Sequence, residues 1–258
     1  ADSVYTAFSV PQWATGIFVF AIAGFIFIGG VRRIASFAEK MVPLMAVVYI
    51  VGSLTIIFAN WDMIIPAFKS IFVGAFDPTA ATGGIIGASI KEAIRYGVAR
   101  GLFSNEAGMG STPHAHALAR VQHPCQQGLV AYVGLFFDTF IVLNMTALVI
   151  LVKGSVDGST TGIALTQKAF TDGLGAIGPG FVAVCLFFFA FTTIVGWYFF
   201  GEQNVKYLLG LRWVPSYRVL VLCFLMLGSF LHVGLVWELA DFFNGIMVIP
   251  NVIALLAL

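Results

Sequence analysis

The sequence predicts an all-α protein that crosses a lipid bilayer several times, and three observations support this fold class. Of the 258 residues, 60% are hydrophobic and 10% are charged, whereas soluble domains carry about 25% charged residues. The mean hydropathy is +0.98. Several apolar runs are about 19 residues long or longer, which is the length that an α-helix needs to span the hydrocarbon core. We therefore expect a polytopic membrane protein.

Apolar runs separated by polar residues define the predicted spans. They cover residues 13–31, 41–59, 128–152, 179–203, 217–236 and 242–258. Residues 61–77 read as an amphipathic segment in the membrane interface rather than as a span. A short helix is expected at 165–170 within the polar loop 153–178, and an acidic link at 237–241 joins the last two spans. A further helix from residue 90 carries charges that must face protein or water, namely Lys91, Glu92, Arg95 and Arg100.

The basic residues predict the orientation of the spans. Segments 32–40, 113–126 and 206–218 hold seven Lys and Arg residues, whereas the alternating segments 60–82, 153–178 and 237–241 hold three. Because cytoplasmic loops carry the excess of Lys and Arg, we expect the first set of segments to be cytoplasmic. The hairpins 13–59 and 217–258 then run in opposite senses, as the halves of an inverted repeat would.

Residues 101–113 are predicted to interrupt a helix. Three glycines and a proline surround a polar cluster there, and these residue types stop an α-helix from continuing smoothly. Unwound backbone at membrane depth survives only where it faces protein or a water-filled cavity, and transporters use such breaks to bind a substrate and its coupling ion. A glycine-rich cytoplasmic loop is the alternative interpretation. The polar cluster is Ser104, Asn105 and Glu106.

Two carboxylates fall within predicted membrane segments. Glu106 lies in the break and Asp138 lies in the middle of the span 128–152. Each costs roughly 2.5–3.5 kcal/mol at the bilayer centre, so each needs a partner or a function. Glu106 either caps N–H groups of the broken helix or holds a proton or an ion. Asp138 is a candidate to approach Ser104 and form an ion site.

Adjacent hydroxyls in the span 179–203 suggest a cation site. Thr192 and Thr193 can bond their own backbone carbonyls, which is the structural interpretation. Sodium, however, prefers hard oxygen ligands, and two hydroxyls with a carbonyl one turn earlier would supply about three. Thr193 and Trp197 are four residues apart, so ion and substrate contacts can share one helix face.

Other function classes find less support in the sequence. An intramembrane metal enzyme would use His114, His116, His123 and Cys125, but the members of a His-x-His pair diverge by about 200° on a helix. A serine hydrolase around Ser111 lacks a credible His–Asp pairing, and an ion channel remains an alternative. The three cysteines read as small apolar residues. The net charge of +1 comes with no basic patch, so we expect no nucleic-acid partner.

The run from Gly101 to Ala117, GLFSNEAGMGSTPHAHA, closely resembles the signature of the alanine/glycine:cation symporter family. Three pairs of stretches and one single stretch resemble the same family. The pairs are GGVRRI at 29–34 with AEKMVP at 38–43, GWY at 196–198 with GE at 201–202, and ADFFNG at 240–245 with IPN at 249–251, and the single stretch is FFDT at 136–139. Together they cover essentially the whole chain. His114 departs from the family pattern, where an aliphatic residue is usual.

The resemblance implies a fold and a function. The family has the leucine-transporter-like fold of two inverted five-helix repeats, and it imports alanine or glycine with sodium or sometimes protons. By that comparison the chain carries core helices four to ten: residues 13–59 are the last hairpin of the first repeat, and 85–258 are the second repeat. We therefore expect a symporter of the cell inner membrane rather than an enzyme. Its expected partners are the amino acid, sodium, the lipid bilayer and the missing N-terminal helices, with no organic cofactor.

The resemblance also assigns the binding residues. Phe103 and Trp197 would form the bulky wall that limits the size of the substrate side chain, although plain helix packing is the alternative for each aromatic. The implied substrate-binding set is Phe103, Ser104, Asn105, Gly108 and Trp197. The resemblance implies that Thr192 and Thr193 are sodium ligands. Asp138 as a further sodium ligand and Glu106 as a coupling or structural carboxylate are predicted from the residues themselves.

A prediction concerns residues 1–258 by themselves. The first residue is Ala and the last lies in an apolar run, so we expect a piece of a longer chain. A leucine-transporter-like site is assembled from both repeats, so this piece should neither bind nor transport alanine, although its helices insert. The measurement is sodium-dependent binding of labelled alanine to the purified 258-residue chain in detergent, with the full-length protein as the control. Saturable binding by the short chain would contradict the prediction.

Overall fold

The computed structural model describes residues 1–76, 90–106, 108–156, 159–231 and 233–257, and the regular structure in these residues is entirely helical. A π-helical segment, Phe137–Leu143, joins the helices Pro124–Phe136 and Asn144–Val152, and short 3-10 turns precede the helices Ile64–Phe76, Gly178–Leu209 and Val214–Gly228. This confirms the predicted all-α class. In chain order the helices are α1 (Asp2–Phe8), α2 (Gln12–Ile28), α3 (Gly30–Ala59), α4 (Ile64–Phe76), α5 (Ile90–Ser104), α6 (Pro113–His116), α7 (Pro124–Phe136), α8 (Asn144–Val152), α9 (Gly162–Leu174), α10 (Gly178–Leu209), α11 (Val214–Gly228) and α12 (Val233–Leu256).

Five helical stretches within the described residues are long and apolar enough to cross a membrane. A sixth is added if α1 and α2, which meet at a bend of 117°, form one span. Many large apolar side chains are exposed on these helices, as expected of surfaces that face lipid. The protein is therefore a polytopic membrane protein. The five stretches are Gly30–Ala59, Pro124–Val152, Gly162–Leu209, Leu211–Gly228 and Gly234–Leu256.

Two predicted connections are wrong, because both lie inside helices. Residues 32–40 belong to α3, a continuous 30-residue helix whose length of about 45 Å exceeds the hydrocarbon core. Its basic residues can therefore reach water without leaving the helix. The acidic link 237–241 belongs to α12, and the chain turns instead at 229–231. Charged side chains near a helix end interrupt the hydropathy pattern but not the backbone hydrogen bonds.

Other predicted elements are present with changed limits. The expected short helix 165–170 extends to Gly162–Leu174. The segment 61–77 forms a 3-10 turn followed by Ile64–Phe76. Residues 77–89 lie outside the described residues, as does the side chain of Glu92. The assignment of 13–59 and 85–258 to inverted repeats stays a prediction.

The chain forms two compact units. The first comprises Ala1–Leu44, Glu106–Ala131 and Phe187–Leu258. Its core lies where α2 and α10 meet: Phe27 and Tyr198 are fully buried and their rings stack with centroids 3.6 Å apart. Tyr198 also stacks on Tyr217, with centroids 5.7 Å apart. Burying aromatic rings supplies much of the packing energy of such a core.

The second unit comprises Met45–Asn105 and Tyr132–Leu186. A polar bond inside it joins Tyr49 to Thr146, whose hydroxyl oxygens are 2.5 Å apart. The ring of Phe170 packs between those of Tyr49 and Phe181, at centroid distances of 5.8 and 5.5 Å. In lipid the hydrophobic effect does not drive helices together. Close packing and hydrogen bonds of this kind therefore stabilise the association of the helices in this unit.

Gly178 is a sensitive point of this packing. A Cβ there would lie 2.4 Å from the backbone oxygen of Phe170, and backbone cannot move aside as a side chain can. Gly178→Ala should therefore destabilise the full-length protein by roughly 1–3 kcal/mol. The measurement is thermal unfolding in detergent. Gly134→Ala is the matched control, because a Cβ at Gly134 meets no atom within 4 Å. Equal midpoints for the two variants would contradict the prediction.

Candidate substrate and ion site

The predicted helix interruption is present between α5 and α6. Ser104 is the last residue of α5, and the chain then turns through Glu106, Gly108 and Gly110, which have φ of 51°, 76° and 72°. These left-handed values exclude a continuous right-handed helix. Helix α6 begins at Pro113, a residue favoured in the first helical turn. The glycines and the proline thus cause the break that the sequence predicts.

A residue from α12 holds the break in place. The Asn251 side-chain nitrogen donates to the carbonyl oxygen of Gly108 at 3.0 Å. A Cβ at Gly110 would lie 2.7 Å from the Asn251 side-chain oxygen, so glycine is needed there for the close approach as well as for its φ. The asparagine replaces the water that an unwound carbonyl would otherwise need. The sequence analysis missed the role of Asn251, although the stretch IPN that contains it was part of the resemblance.

The polar end of α5 contacts the π-helical segment. The Ser104 hydroxyl donates to Asp138 Oδ2 at 2.6 Å, and the Thr139 hydroxyl donates to Asn105 Oδ1 at 2.9 Å. Asn105 also donates to the Gly101 carbonyl at 2.9 Å. The expected approach of Asp138 to Ser104 is therefore present. It places a carboxylate beside the C-terminal end of a helix, where the helix dipole is already negative.

The π-helical segment Phe137–Leu143 carries both Asp138 and Thr139. Such segments occur frequently at functional sites. The side-chain nitrogen of Asn144 donates to the carbonyls of Thr139 and Phe140 at 2.9 and 3.3 Å, so groups that leave the α-helical pattern are still bonded. Thr139 and Asn144 were not predicted. Their signal was weak, because isolated polar residues in an apolar span also serve helix packing.

Glu106 is bonded within its own turn. The Ser111 hydroxyl donates to its carboxylate, and Met109 N–H donates to its backbone carbonyl at 3.3 Å. The described partner of the carboxylate is thus a hydroxyl rather than the backbone N–H groups of the predicted cap, and both predicted roles of Glu106 stay predictions. His114 follows this turn and contacts two oxygen atoms. Its Nδ1 is 3.0 Å from the Ser111 carbonyl oxygen, and its Nε2 is 3.3 Å from Asn204 Oδ1.

The paired threonines lie on α10. Thr192 donates to the carbonyls of Phe188 and Phe189, each at 3.0 Å, and Thr193 donates to the carbonyl of Phe189 at 2.9 Å. These are the intrahelical bonds of the structural interpretation. A hydroxyl donates through its proton, and its oxygen is of the kind that can coordinate a cation. Thr193 is exposed and Trp197, one turn later, is half-buried.

The predicted site residues thus fall into two groups. Ser104, Asn105 and Asp138 are hydrogen-bonded neighbours in the second unit, and Phe103 is half-buried at the end of the same helix. Gly108 lies in the first unit together with the α10 residues. Those residues are Thr192, Thr193 and Trp197, and the Trp197 ring packs edge-on against Phe200.

The histidines of the alternative metal-enzyme interpretation form hydrogen bonds to separate partners. The His116 ring nitrogen pairs with the Gln127 amide at 2.7 Å, and His123 Nδ1 accepts from the Cys125 N–H at 3.2 Å. Across the part of the chain that the structure describes, no three His, Cys, Asp or Glu side chains are grouped to hold a metal ion.

Several apolar spanning helices together with a helix that is interrupted by polar, unwound backbone are typical of secondary transporters. The family model for the sodium:alanine symporter family matches residues 1–258, and the chain belongs to that family. This confirms the resemblance found in the sequence. It also decides against an enzyme, because the family is one of transporters.

Named relatives agree with the family. The sodium/alanine symporter AgcS of Methanococcus maripaludis is 40% identical over 262 residues, which cover 100% of this chain and 57% of the relative. The amino-acid carrier protein AlsT of Bacillus subtilis is 38% identical over 256 residues, covering 99% and 54%. An uncharacterized transporter of Haemophilus influenzae is 45% identical over 253 residues, covering 97% and 56%. The chain spans about half the length of the curated relatives it matches.

A double-mutant cycle tests the bond between Ser104 and Asp138. A hydrogen bond to a charged group contributes about 1.5–3 kcal/mol, so Ser104→Ala and Asp138→Asn in the full-length protein should show a coupling free energy of about 1 kcal/mol or more. Unfolding in detergent measures it. The control cycle pairs Ser104→Ala with Asp62→Asn, since Asp62 is exposed in the same unit. Additive effects in the test cycle would show that the two side chains do not interact.

Proposed function

We propose that the chain serves the symport of a small neutral amino acid, alanine or glycine, with sodium across the cell inner membrane, together with the further helices that its relatives contain. The observation that carries this proposal is the polar break after Ser104 in a member of the sodium:alanine symporter family. The relatives named as a sodium/alanine symporter and an amino-acid carrier support the same substrate class.

The substrate's two charged ends have complementary groups at the break. The C-terminal end of α5 carries the negative end of the helix dipole, which suits an ammonium group. The N–H groups of the turn before α6 suit a carboxylate. We assign Phe103, Ser104, Asn105 and Gly108 to these contacts. Trp197 then limits the substrate side chain, since one extra methylene changes binding in such a pocket by only about 1–3 kcal/mol.

Two cation positions follow from the oxygen ligands. Thr192 and Thr193, whose hydroxyls donate to carbonyls of α10, offer two adjacent hydroxyl oxygens, and hard oxygen ligands suit sodium. Asp138, held by Ser104 beside the negative end of α5, is the second. We assign Glu106 to the structure of the turn rather than to ion coupling, because Ser111 already engages its carboxylate.

The orientation is part of the proposal. The surfaces that carry the basic segments 32–40, 113–126 and 206–218 face the cytoplasm, whether those residues lie in helices or in loops. The excess of seven basic residues over three supports this. The segment that includes His114 then lies at the cytoplasmic exit of the transport path.

Thr193→Ala tests the sodium site. In the full-length protein in proteoliposomes, loss of one oxygen ligand should raise the sodium concentration for half-maximal alanine uptake by about tenfold, which corresponds to about 1.4 kcal/mol. Thr55→Ala is the matched control, because Thr55 is another exposed threonine that bonds its own helix. An unchanged sodium dependence in the Thr192→Ala, Thr193→Ala double variant would refute the assignment. Uptake that neither saturates nor needs sodium would favour a channel.

A further inference from the structure

The π-helical segment Phe137–Leu143 is held by side-chain hydrogen bonds at both of its ends. At its start, Asp138 and Thr139 bond to polar side chains at the end of α5. At its end, the hydroxyl of Thr146 on α8 donates to the carbonyl of Val142 at 3.1 Å. A π-helix is rare and occurs mostly as a single turn within an α-helix, so bonds of this kind help to keep the segment in its form.

Tyr49 on α3 anchors the second end of the segment. Its hydroxyl oxygen is 2.5 Å from that of Thr146, a residue 97 positions further along the chain. Because Thr146 has one hydroxyl proton and donates it to Val142, Tyr49 is the donor in this bond and Thr146 is the acceptor. Tyr49 is 6% exposed and its ring packs against that of Phe170, which fixes the direction of the hydroxyl. The position of α3 is thus transmitted to the segment.

The geometry of a π-helix couples the two ends of the segment. Its backbone bonds join residues five apart, one more than in an α-helix. Relaxation to the α-helical pattern would therefore remove one residue from a turn, and each residue corresponds to about 100° of rotation. Asp138 would rotate by that angle relative to α8 and lose its bond to Ser104, which is now 2.6 Å long. A group that holds the far end of the segment consequently controls where the carboxylate lies.

We propose that Tyr49 is a positioning residue for Asp138. Through Thr146 it keeps the segment Phe137–Leu143 π-helical and so keeps the carboxylate beside Ser104. All of these residues belong to the second compact unit. Tyr49 thereby acts on the proposed cation position through Asp138 rather than as a ligand. This consequence for transport rests on the proposed function, whereas the positioning of the carboxylate does not.

A double-mutant cycle on the full-length protein in detergent tests the positioning. Tyr49→Phe removes the hydroxyl and keeps the ring, and Ser104→Ala removes the bond to Asp138. Because the bond is already weakened without the Tyr49 hydroxyl, Ser104→Ala should lower the thermal unfolding midpoint by less in Tyr49→Phe than in the parent. The control pairs Ser104→Ala with Thr55→Ala, since the Thr55 hydroxyl bonds within α3, and its effects should be additive. Additive effects in the test cycle would overturn the proposal.

Variants of Thr146 test the route of the coupling. Thr146→Ser keeps the hydroxyl that joins Tyr49 to Val142, so the coupling between positions 49 and 104 should remain. Thr146→Val removes that hydroxyl, so Tyr49→Phe should no longer change the effect of Ser104→Ala. A coupling of the same size in Thr146→Val would show that Tyr49 acts by another route, and the proposal would be wrong.

Sodium-dependent alanine uptake by the full-length protein in proteoliposomes tests the consequence for transport. Tyr49→Phe should raise the sodium concentration for half-maximal uptake at least about twofold, the lower limit for residues coupled in one hydrogen-bond network, and should add nothing in an Asp138→Asn background. A merely structural role would lower the maximal rate and leave this concentration unchanged. A raised sodium requirement in Asp138→Asn but not in Tyr49→Phe would overturn the proposal. An unchanged requirement in both, with the coupling present, would instead contradict the proposed cation at Asp138.

Discussion

The structure depends on one constraint: a polar group at membrane depth must find its partner within the protein, because lipid offers none. Continuous helices meet this constraint through their own backbone bonds. The break after Ser104 does not, and its carbonyls and side chains are bonded one by one instead. Asn251 holds the Gly108 carbonyl, Ser111 holds Glu106, and Asp138 accepts from Ser104. These bonds stabilise the unwound backbone between α5 and α6.

The same constraint explains how much of the fold could be predicted. The break followed from local chemistry, since glycine at positive φ and proline at a helix start act within a few residues. The residues at which the helices begin and end could not be predicted from local chemistry. Arg32 and Arg33 lower the local hydropathy but leave the backbone helical, and Arg33 Nη1 donates to the carbonyl of Phe25 at 2.7 Å. Charge therefore marks where a helix meets water or protein, rather than where it ends.

The residues of the candidate site likewise divide into those that the sequence predicts and those that it does not. The residue types Ser104, Asp138 and Thr193 could be singled out because polar groups in an apolar span need a reason. The bond between Asn105 and Thr139 could not, since it depends on how two helices approach each other. The bonds of Asn144 are local, but they depend on the π-helical geometry of the preceding segment, which an apolar run does not reveal. A one-dimensional pattern contains the chemistry of each side chain but not its distance from a partner far along the chain.

Three intramembrane carboxylates show how the surroundings separate roles that the sequence leaves alike. Glu106 is bonded by its own turn and so contributes rigidity. Asp138 accepts one hydroxyl and lies at the negative end of a helix, which favours a second, positive partner. Glu202 has one oxygen on Lys206 of its own helix and one without a hydrogen-bond partner among the described residues. The first two carboxylates therefore fix the backbone around the break, whereas the third pairs with a side chain one turn along the same helix and fixes no turn.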